Sequence, residues 1–394
     1  MRRVRGLAGI AVTAAGVLLL AVPATAPADA PSPLTARPLA GPQSADEVRQ
    51  FWTRERMRRA TAREAPGVSG AAVEATESAS SPPTARAAAV EQPNTTAHPN
   101  RIVGRLFFTI PGQPGLFSCT AAVVNTDTDS FVFTAAHCVF ERGIGFFENL
   151  NFVPGYRNQQ RPFGEFPATE LAVPSFVQTG ALEPFDHGSL LVAPSAGGRA
   201  VEDVVGAFGI SLFGAPNRSW RAYGYPADDP FDGEGLFTCD SPTIAFDLDF
   251  NPPPIGIDCD MTGGASGGPW VIQGTNLVGS NSSFIFEDVP NTLFGPQLRQ
   301  GAAQLLDPAH PVRCRGKLVT ILGTEGPDRL VGSKAKDVIL GDQGDDVIVG
   351  KGGKDRLCGE EGADKVNGGK GRDVCDGGPG KDRGGGGCEK RKRL

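Results

Sequence analysis

The chain has 394 residues, which is enough for one large domain or two medium-sized domains with a substantial core. A formal net charge of −6 and a charged fraction of 21% argue against a nucleic-acid-binding protein. The eight cysteines are even in number and lack the CxxC and histidine pairs of a zinc site, so they indicate disulfide bonds and an oxidising compartment.

The first 28 residues have the pattern of a secretory signal peptide. Arg2, Arg3 and Arg5 precede an apolar run over residues 7–22, and small residues follow up to Ala28, the expected cleavage position. The run is short and rich in Ala and Gly, which makes a permanent membrane anchor the weaker alternative. No later run approaches the ~18 apolar residues that a membrane span needs. We therefore expect a secreted, extracellular protein with no membrane span.

Residues 29–100 are rich in Ala, Pro, Ser and Thr, a composition that favours a pro-segment or a disordered region. A short helix is predicted within 44–60. Ser44 and Glu47 fit a capping box, and the apolar residues that follow share one helical face. Such a helix predicts a segment that docks on the folded domain. The alternative is a linker that contains one isolated helix.

From residue 101 to about residue 310 the pattern is all-β. Short runs rich in Val, Ile and Phe alternate with clusters of Gly, Pro and Asn, and a closing helix is predicted at 296–306. Strands that recur between turns in this way suit β-barrels or sandwiches. We expect one domain over 101–310, followed by a linker at 311–322.

Two stretches of this domain carry candidate chemistry. Residues 131–138, FVFTAAHC, form an apolar β-prone run that ends in His137 beside a cysteine. Residues 258–270, DCDMTGGASGGPW, place Ser266 among four glycines. A serine hydroxyl is a poor nucleophile, so it needs a neighbouring base and hydrogen-bond donors aimed at the developing oxyanion. Glycines let the backbone turn tightly enough to point N–H groups inward.

Together the two motifs closely resemble those of the chymotrypsin-like serine peptidases, over roughly residues 100–310. The sequence is most similar to the secreted bacterial branch that includes the glutamyl endopeptidases. In that branch a CD-x-TGG-x-SG motif precedes the strand after the serine. The resemblance implies two antiparallel β-barrels with the site in the cleft between them. It also implies a catalytic triad of Ser266, His137 and an aspartate.

Asp186 is the predicted aspartate of the triad. It opens an apolar strand, lies between the histidine and the serine in sequence, and matches the Asp-x-Gly/Ala-x-apolar pattern of the family. Asp127, Asp129 and Asp203 compete for the role, but each is explained more simply as a turn or surface residue. We expect His187 to be structural, since neighbouring strand residues point to opposite sides.

The resemblance assigns the oxyanion hole to the backbone N–H groups of Gly264 and Ser266, and it leaves the specificity pocket open. Asp260 lies six residues before Ser266, the offset at which trypsin-like enzymes carry the acid that binds Lys or Arg. Cys259, however, changes the expected path of that loop. Glutamyl endopeptidases carry a histidine where the alignment places Asn281, so a preference for Glu is unsupported.

Sequence alone allows many disulfide connectivities, and the expected pairs come from proximity and from the resemblance. A bond between Cys119 and Cys138 would hold the histidine in place, and closing that loop contributes ~3 kcal/mol. The expected pairs are Cys119–Cys138 and Cys239–Cys259, and a C-terminal solenoid held together by its cysteines would pair Cys314 with Cys358 and Cys375 with Cys388.

From Gly323 the chain repeats every nine residues, over 323–388, and a basic tail follows at 389–394. The repeat resembles the haemolysin-type (RTX-like) nonapeptide, G-G-x-G-x-D-x-U-x, which winds into a parallel β-roll with calcium between its turns. The glycines make the turns, the aspartate offers a hard oxygen ligand and the apolar residue faces the core. The candidate calcium ligands are Asp328, Asp337, Asp346, Asp355, Asp364, Asp373 and Asp382.

Two departures from the motif weaken the calcium prediction. The second glycine is mostly replaced, as at Thr324 and Ser333. Basic residues such as Lys336 and Lys354 directly precede the repeat aspartate, where their charge would oppose a bound cation. The alternative is a metal-free solenoid held together by its disulfide bonds.

The expected fold is therefore all-β, with two antiparallel β-barrels followed by a short parallel β-roll. The expected function is that of a secreted serine endopeptidase, made as a zymogen, that hydrolyses peptide bonds through a Ser-His-Asp triad and an acyl-enzyme intermediate. Its partners are protein or peptide substrates and not nucleic acid. Catalysis needs no cofactor, and calcium is the one ion expected, in the repeats.

We expect a monomer whose repeat module binds a cell or extracellular surface. Two alternatives stay open. One is a catalytically inactive binding protein with the same fold, and the other is a calcium-binding adhesion protein in which the repeat module carries the main function.

Overall fold

A computed structural model of the chain describes residues 35–38, 44–63, 73–75, 88–126, 128–180, 182–285, 289, 291–306, 313–324 and 326–393, the first and third ranges as backbone only. The predicted signal peptide at 1–28 lies outside these residues. All of them fall in one compact unit, Pro33–Leu394. The predicted fold class is confirmed, since the structure is 42% strand and 11% helix, with a closed antiparallel barrel and a parallel roll. None of the helices in these ranges has both the length and the apolar composition of a membrane span.

The N-terminal part of the chain contributes short elements that lie against the two barrels. They are β1 (Thr35–Pro38), α1 (Ala45–Phe51), α2 (Arg54–Arg58), β2 (Thr61–Ala62), β3 (Val73–Ala75) and β4 (Val90–Glu91). α1 begins after Ser44, whose Oγ accepts a hydrogen bond from Glu47 N at 3.3 Å while the Glu47 carboxylate accepts one from Ser44 N at 2.5 Å. This capping box satisfies backbone donors that a first helical turn leaves unpaired. The helical stretch divides in two because Thr53 caps a second helix, its Oγ1 accepting from Arg56 N at 3.2 Å.

The first barrel consists of antiparallel strands that close on themselves. Its elements in chain order are β5 (Val103–Thr109), β6 (Phe117–Val123), β7 (Phe131–Thr134), β8 (Phe140–Glu141), β9 (Gly145–Phe146), β10 (Glu148–Pro154), β11 (Phe166–Val173), α3 (Ser175–Thr179) and β12 (Gly188–Val192). The pairing order is β11-β10-β5-β6-β7-β12, and β12 pairs in turn with β11, which closes the barrel. β1 pairs with β11 and β2 with β6, so the N-terminal part adds strands to this barrel.

Both faces of β5 are covered, which explains why residues 103–108 are all buried, Arg105 included, and why buried and exposed positions do not alternate. Successive strand residues point to opposite sides. Phe107 packs against Trp52 at a ring-centroid distance of 5.3 Å, whereas Phe108 stacks on Phe147 at 5.2 Å. Both β5 phenylalanines are fully buried. The stretch before the barrel thus supplies part of the core.

The second barrel follows in the chain. Its elements are α4 (Val201–Val205), β13 (Gly209–Ser211), β14 (Ser219–Gly224), β15 (Phe237–Asp247), β16 (Ile255–Asp258), β17 (Pro269–Ile272), β18 (Leu277–Asn281), β19 (Phe284–Ile285), β20 (Thr292–Gly295) and α5 (Gln300–Leu305). The pairing order is β20-β16-β15-β14-β17-β18, and the chain runs from β18 into β19, which pairs with β20. β3 and β4 pair with β15. α5 is shorter than the predicted helix at 296–306 because Arg299 has the non-helical angles φ −128° and ψ −140°.

The repeats form a roll of about four turns. Its strands are β21 (Arg313–Cys314), β22 (Lys317–Leu318), β23 (Ile321–Leu322), β24 (Arg329–Val331), β25 (Val338–Gln343), β26 (Val347–Val349), β27 (Gly352–Gly353), β28 (Arg356–Glu361), β29 (Lys365–Asn367), β30 (Lys370–Gly371), β31 (Asp373–Asp376), β32 (Arg383–Gly384) and β33 (Cys388–Lys392). One parallel sheet has the order β23-β25-β28-β31-β33 and the other β24-β26-β29-β32. The apolar residue of each repeat fills the space between the two sheets, from Leu330 to Cys375, with no exposed surface.

The roll and the second barrel share a sheet. β13 pairs with β18 of the barrel and also with β23, where Ile210 lies opposite Leu322. Leu322 and Leu340 belong to the same buried cluster as the first-barrel strands, and Leu277 of β18 belongs to the roll core. We call the β13–β23 pairing and these apolar contacts the junction. Through the junction, the roll extends a sheet of the second barrel.

The structure contains four disulfide bonds, and they join the four pairs expected from the sequence. Cys119–Cys138 links β6 to the turn after β7, and Cys239–Cys259 links β15 to the end of β16. Cys314–Cys358 and Cys375–Cys388 tie the start and the end of the roll.

Candidate active site

His137 follows the end of β7 in a short 3₁₀ turn, Ala136–Cys138. The disulfide from Cys138 to Cys119 fixes this turn against β6, and the histidine is only 1% exposed. The imidazole is therefore held between strands of the first barrel, as the sequence predicts for a fixed base. His137, Cys119 and Cys138 also lie close enough together to suggest a metal site, but the disulfide leaves those cysteines no thiolate to offer a metal.

Asp186 lies directly before β12, the strand that pairs with β7. Its Oδ1 accepts a hydrogen bond from His137 N at 3.0 Å, and its Oδ2 lies 2.7 Å from His137 Nδ1. The carboxylate is fully buried. Burial by itself would raise the pKa of Asp186, but the charge and hydrogen bonds of His137 and the hydroxyl of Ser283 outweigh it and hold the pKa below its usual value.

Ser266 lies in a tight loop between β16 and β17. Gly264 and Gly267 on either side have φ +92° and +82°, in the left-handed region that favours glycine. A Cβ at Gly267 would lie 2.1 Å from Thr134 Oγ1, so only glycine allows this loop to approach β7. The loop is also bound to the first barrel, because Thr120 N donates to Ser266 O at 2.8 Å.

The structure brings the three predicted residues into one cluster, connected through Ser283. Ser266 Oγ donates to Ser283 O at 3.4 Å, and Ser283 Oγ donates to Asp186 Oδ2, the oxygen that also binds His137. His137 Nε2 is buried, with no hydrogen-bond partner in the described part of the chain. No hydrogen bond joins this Nε2 to Ser266 Oγ.

Ser283 is a residue that sequence reasoning missed. It follows Asn281 and Ser282 after β18, and nothing in the local pattern distinguishes it from its serine neighbour. Its hydroxyl reaches Asp186 across 97 residues of sequence. Only the closure of the second barrel against the first reveals that contact.

Alternate backbone N–H groups of the serine loop are left free. Ala265 N donates to Thr262 O, and Gly267 N donates to Ser282 O. Gly264 N and Ser266 N, in contrast, donate to no acceptor among the residues that the structure describes. Two unpaired N–H groups beside a serine hydroxyl are the arrangement that an oxyanion hole requires.

The two candidate pocket residues lie in different surroundings. Asp260 is partly buried, and its Oδ1 accepts a hydrogen bond from Ala89 N at 2.6 Å. Asn281 is fully buried and lines no open pocket: its Nδ2 donates to Asp186 O at 3.0 Å, and its Oδ1 lies 3.0 Å from His187 Nδ1. Burial lowers the pKa of His187 to about 4, so this residue is a neutral core histidine at physiological pH.

The competing aspartates lie elsewhere. Asp129 and Asp203 are exposed on the surface. Asp127 lies outside the described residues. Of the described candidates, Asp186 is thus the aspartate in contact with His137.

The repeat aspartates form a ladder along the roll. From Asp328 to Asp364, each backbone N–H donates to the Oδ1 of the repeat aspartate 18 residues later, at 2.9 Å. The second oxygen, Oδ2, is buried and has no partner within the described ranges at Asp346, Asp355, Asp364, Asp373 and Asp382. Burial raises the pKa of Asp346 to about 8 and the pKa values of Asp355 and Asp364 to about 6. A row of unsatisfied carboxylate oxygens fits a hard cation such as calcium.

The first two repeats differ from the rest of the ladder. Asp328 Oδ2 accepts hydrogen bonds from Thr324 N and Oγ1, and Asp337 Oδ2 accepts them from Ser333 N and Oγ. The hydroxyl at the second repeat position thus takes the oxygen that later repeats leave free. In those later repeats the same position has a positive φ, as in Lys351 at 69°. The basic residues that precede the aspartates are exposed, whereas the aspartates from Asp346 to Asp373 are buried.

Comparisons with known proteins found matches for both parts of the chain. Residues 322–357 and 349–383 match the RTX calcium-binding nonapeptide repeat. A solved protease from Arthrobacter nicotinovorans, Anisep, is 31% identical, with 54% of this chain and 95% of that chain covered and a TM-score of 0.48. A thermostable serine protease from an extremophilic microorganism is also 31% identical, with 52% and 95% covered and a TM-score of 0.49.

A Glu endopeptidase is 16% identical, with 57% of this chain and 96% of that chain covered and a TM-score of 0.46. No curated protein sequence matches the chain. The chain is thus similar to bacterial chymotrypsin-like serine proteases over about half of its length, and its C-terminal part matches the RTX calcium-binding nonapeptide repeat.

Proposed function

We propose that the chain is a secreted serine endopeptidase that cleaves peptide bonds through Ser266, His137 and Asp186. The observation that carries the proposal is the buried contact between Asp186 and His137, which leaves His137 Nε2 without a partner beside a glycine-rich serine loop. A buried carboxylate that accepts the Nδ1 proton leaves the lone pair on Nε2, and that tautomer is the one a general base needs.

In the proposed reaction, Ser266 Oγ attacks the scissile carbonyl carbon and His137 Nε2 takes the hydroxyl proton. This step requires Ser266 to exchange its hydrogen bond to Ser283 O for one to His137. The negative charge that develops on the carbonyl oxygen is stabilised by the free N–H groups of Gly264 and Ser266. His137 then gives the proton to the leaving amine, and water hydrolyses the acyl-enzyme by the same route.

Asp186 acts by holding the imidazole. It fixes the orientation of the ring and stabilises the imidazolium that forms during the attack. Because its own pKa is held low, Asp186 stays ionised at neutral pH and does not compete for the proton.

Labelling with a fluorophosphonate probe tests the proposal. The probe reacts only with an activated serine, so the parent chain is expected to be labelled and the Ser266→Ala and His137→Ala variants are not. Loss of either residue is expected to lower kcat by about 10⁶. Ser282→Ala, which removes a neighbouring hydroxyl outside the cluster, serves as the control and keeps its labelling. Equal labelling of the parent and Ser266→Ala would reject the assignment.

A catalytically inactive binding protein is the second candidate. The observation that favours it is the missing hydrogen bond between His137 Nε2 and Ser266 Oγ. A protein of this fold that is not an enzyme would keep the two barrels but would not need this hydrogen bond. The same probe separates the two candidates. A parent chain that is not labelled but still binds intact proteins would support the catalytically inactive binding protein.

For the primary specificity, we keep the sequence-based proposal that Asp260 recognises Lys or Arg. The one hydrogen bond from Ala89 leaves its second carboxylate oxygen for a basic side chain. Cleavage of a peptide library tests this assignment. Cleavage after Lys or Arg that disappears in Asp260→Ser supports it, and cleavage only after Phe or Leu rejects it.

The repeat segment is proposed to bind calcium through Asp346, Asp355, Asp364, Asp373 and Asp382. When bound, the ion supplies positive charge to carboxylates that otherwise face each other without compensation. The carbonyl-rich glycine turns and the free Oδ2 atoms provide oxygen ligands. Calcium has no role in the peptide-bond chemistry, which needs only the three side chains and the two N–H groups.

A further inference from the structure

Residues 44–63, called the N-terminal helical segment, comprise α1, α2 and β2. We propose that this segment is a permanent structural subunit of the first barrel, which stays bound when the chain is cut between Arg63 and Ala89. The cut protein would then consist of two chains held together without a covalent bond. The proposal goes beyond the sequence expectation of a pro-segment with a helix that docks on the folded domain, and it does not depend on the proposed catalytic function.

The first argument is the burial of the apolar anchor. Trp52 and Met57 have no exposed surface, and Val48 and Ala60 are 5% and 6% exposed. All four belong to the same buried cluster as the barrel strands. A segment that is released during maturation is expected to cover a surface that stays stable when its release exposes that surface to water. Removal of this one would open a cavity of indole size beside Phe107.

The second argument is the polar contact of the indole. Trp52 Nε1 donates to Asn149 O at 2.5 Å, in a site that excludes water. Without Trp52, the Asn149 carbonyl would lose its buried partner. A buried polar group that is left unpaired destabilises the fold more than the bond itself stabilised it.

The third argument is a buried cation that the segment completes. Arg105 of β5 has no exposed surface, and burial lowers the pKa of its guanidinium. Its Nη2 donates to Ala60 O at 2.9 Å and to Ser118 Oγ at 2.9 Å, while Nη1 contacts Glu234 at 3.3 Å. The segment thus supplies one acceptor of a guanidinium that joins the first barrel to the loop before β15.

The segment also adds a strand to the barrel edge. Thr61 N donates to Leu116 O at 2.9 Å, and Arg63 N donates to Ser118 O at 3.1 Å. The Arg63 side chain forms an ion pair with Glu141 at 2.7 Å. At the other end of the segment, Arg49 donates to Pro194 O. The contacts therefore span the barrel and are not confined to one end of the segment.

The chain is anchored again on the far side of the proposed cut. Ala89 N binds Asp260, β4 pairs with β15, and Glu91 forms an ion pair with Arg157 at 2.7 Å. Both ends of a cut chain would consequently keep their contacts with the barrels. A cut between Arg63 and Ala89 is expected to change the covalent connection without releasing either end.

The test is a cut made after folding. A recognition sequence for a specific endoprotease is inserted after Ser80, in the Ser266→Ala background, which prevents self-digestion. The folded chain is then cut and passed over a gel-filtration column in the absence of denaturant. Mass spectrometry of the main peak is expected to find both fragments in equal amounts. Elution of the fragment that carries residues 44–63 as a separate species would overturn the proposal.

Matched variants show whether the buried anchor is responsible. In the cut protein, Trp52→Ala is expected to release the fragment about 100-fold faster, in line with the loss of a fully buried aromatic side chain. Arg58→Ala, at an exposed position of α2, is expected to release it at the parent rate. If Trp52→Ala does not fold, Trp52→Phe keeps a ring but loses the bond to Asn149, and about fivefold faster release is expected. Equal release rates in the parent and both Trp52 variants would contradict the proposed anchor.

Protein purified from the culture medium gives a second readout. The proposal expects a fragment containing Trp52 in every folded sample, whether or not the chain has been cut. A folded, stable protein that starts after residue 63 and lacks this fragment would also overturn it. Neither measurement uses proteolytic activity, so each outcome can be separated from failure of the proposed catalysis.

Discussion

Asp186 accepts two hydrogen bonds from one residue, the backbone N of His137 at 3.0 Å and its Nδ1 at 2.7 Å. The first bond fixes the main chain of the histidine, and the second fixes its tautomer. One buried carboxylate therefore sets both the position and the tautomer of His137. The paired strands β7 and β12 make this possible, because the two residues lie at adjacent strand ends.

Replacement of Asp186 by Asn is expected to lower kcat by about 10⁴ while KM changes little. The amide can keep a contact with the ring but favours the wrong tautomer. Steady-state kinetics on a peptide substrate measures the effect. Asp203→Asn changes an exposed acid of the same type and is expected to leave kcat unaltered. A similar loss in both variants would show that the effect is not specific to the histidine contact.

Ser283→Ala removes the hydroxyl that donates to Asp186 and is expected to raise the pKa of that carboxyl. A group whose pKa is lowered by folding contributes stability above its unfolded pKa and loses it as the pH falls through the folded value. The variant should therefore lose activity and stability at a higher pH than the parent on the acid side, with kcat at neutral pH reduced about 10-fold. pH–rate profiles measure the shift. The Ser282 hydroxyl binds Trp270 and not Asp186, so the pH–rate profile of Ser282→Ala should have the same acid limb as that of the parent.

Local motifs were sufficient to predict the cluster of His137, Asp186 and Ser266. Each of these residues lies within three residues of a short strand, and the serine is surrounded by glycines that allow a close backbone approach. Asn281 was a different case. Alignment related it to a pocket residue, but strand alternation turns its side chain into the core towards His187. Ser283, two positions later, makes the contact with the triad.

The long-range packing could not be predicted from local patterns. The sequence of β5 did not show which of its faces packs against Trp52, because a strand covered on both sides shows no alternation. β13 and β23 have only three and two residues, too few for any period to be visible. The predicted linker at 311–322 therefore gave no indication that its last residues extend a barrel sheet. The nine-residue repeat, in contrast, was sufficient to predict the parallel β-roll.

Truncation of Leu322 at the junction is expected to destabilise the barrels as well as the roll. Leu322 is 2% exposed and belongs to the core cluster of the first barrel, so Leu322→Ala should cost about 2–5 kcal/mol in the free energy of unfolding. All three tryptophans of the chain, at 52, 220 and 270, precede the roll, so their fluorescence reports on the barrels and on the N-terminal helical segment packed against them. Lys334→Ala, an exposed change within the roll, is the control. An unchanged fluorescence melting curve in Leu322→Ala would mean that barrels and roll unfold independently.

The hydroxyl bonds of the first two repeats predict an uneven set of calcium sites. Asp355→Asn is expected to lower the number of calcium ions bound, because Asp355 Oδ2 is free for a ligand. Asp337→Asn, at a carboxylate whose Oδ2 is taken by Ser333, should leave that number unchanged. Isothermal titration calorimetry measures both. Equal losses in the two variants would contradict a distinction based on the hydroxyl.

Calcium is expected to stabilise the chain more strongly at pH 8 than at pH 5. Folding without metal raises the pKa of Asp346 from 3.8 to about 8 and that of Asp355 to about 6, mainly through burial. A raised carboxyl pKa means that the folded state binds protons more tightly than the unfolded chain. Its contribution to stability is therefore lost as the pH rises through these values. A bound cation favours the ionised carboxylates and removes this penalty.

The measurement is the melting temperature by tryptophan fluorescence, in calcium and in EDTA, at both pH values. The difference in melting temperature between calcium and EDTA should increase from pH 5 to pH 8 in the parent. The increase should be smaller in Asp346→Asn, because one ionising group is gone. Because the tryptophans lie outside the roll, a calcium effect on their signal also requires the junction to transmit stability from the roll. A calcium effect that is equal at both pH values would show that the buried aspartates are not its source.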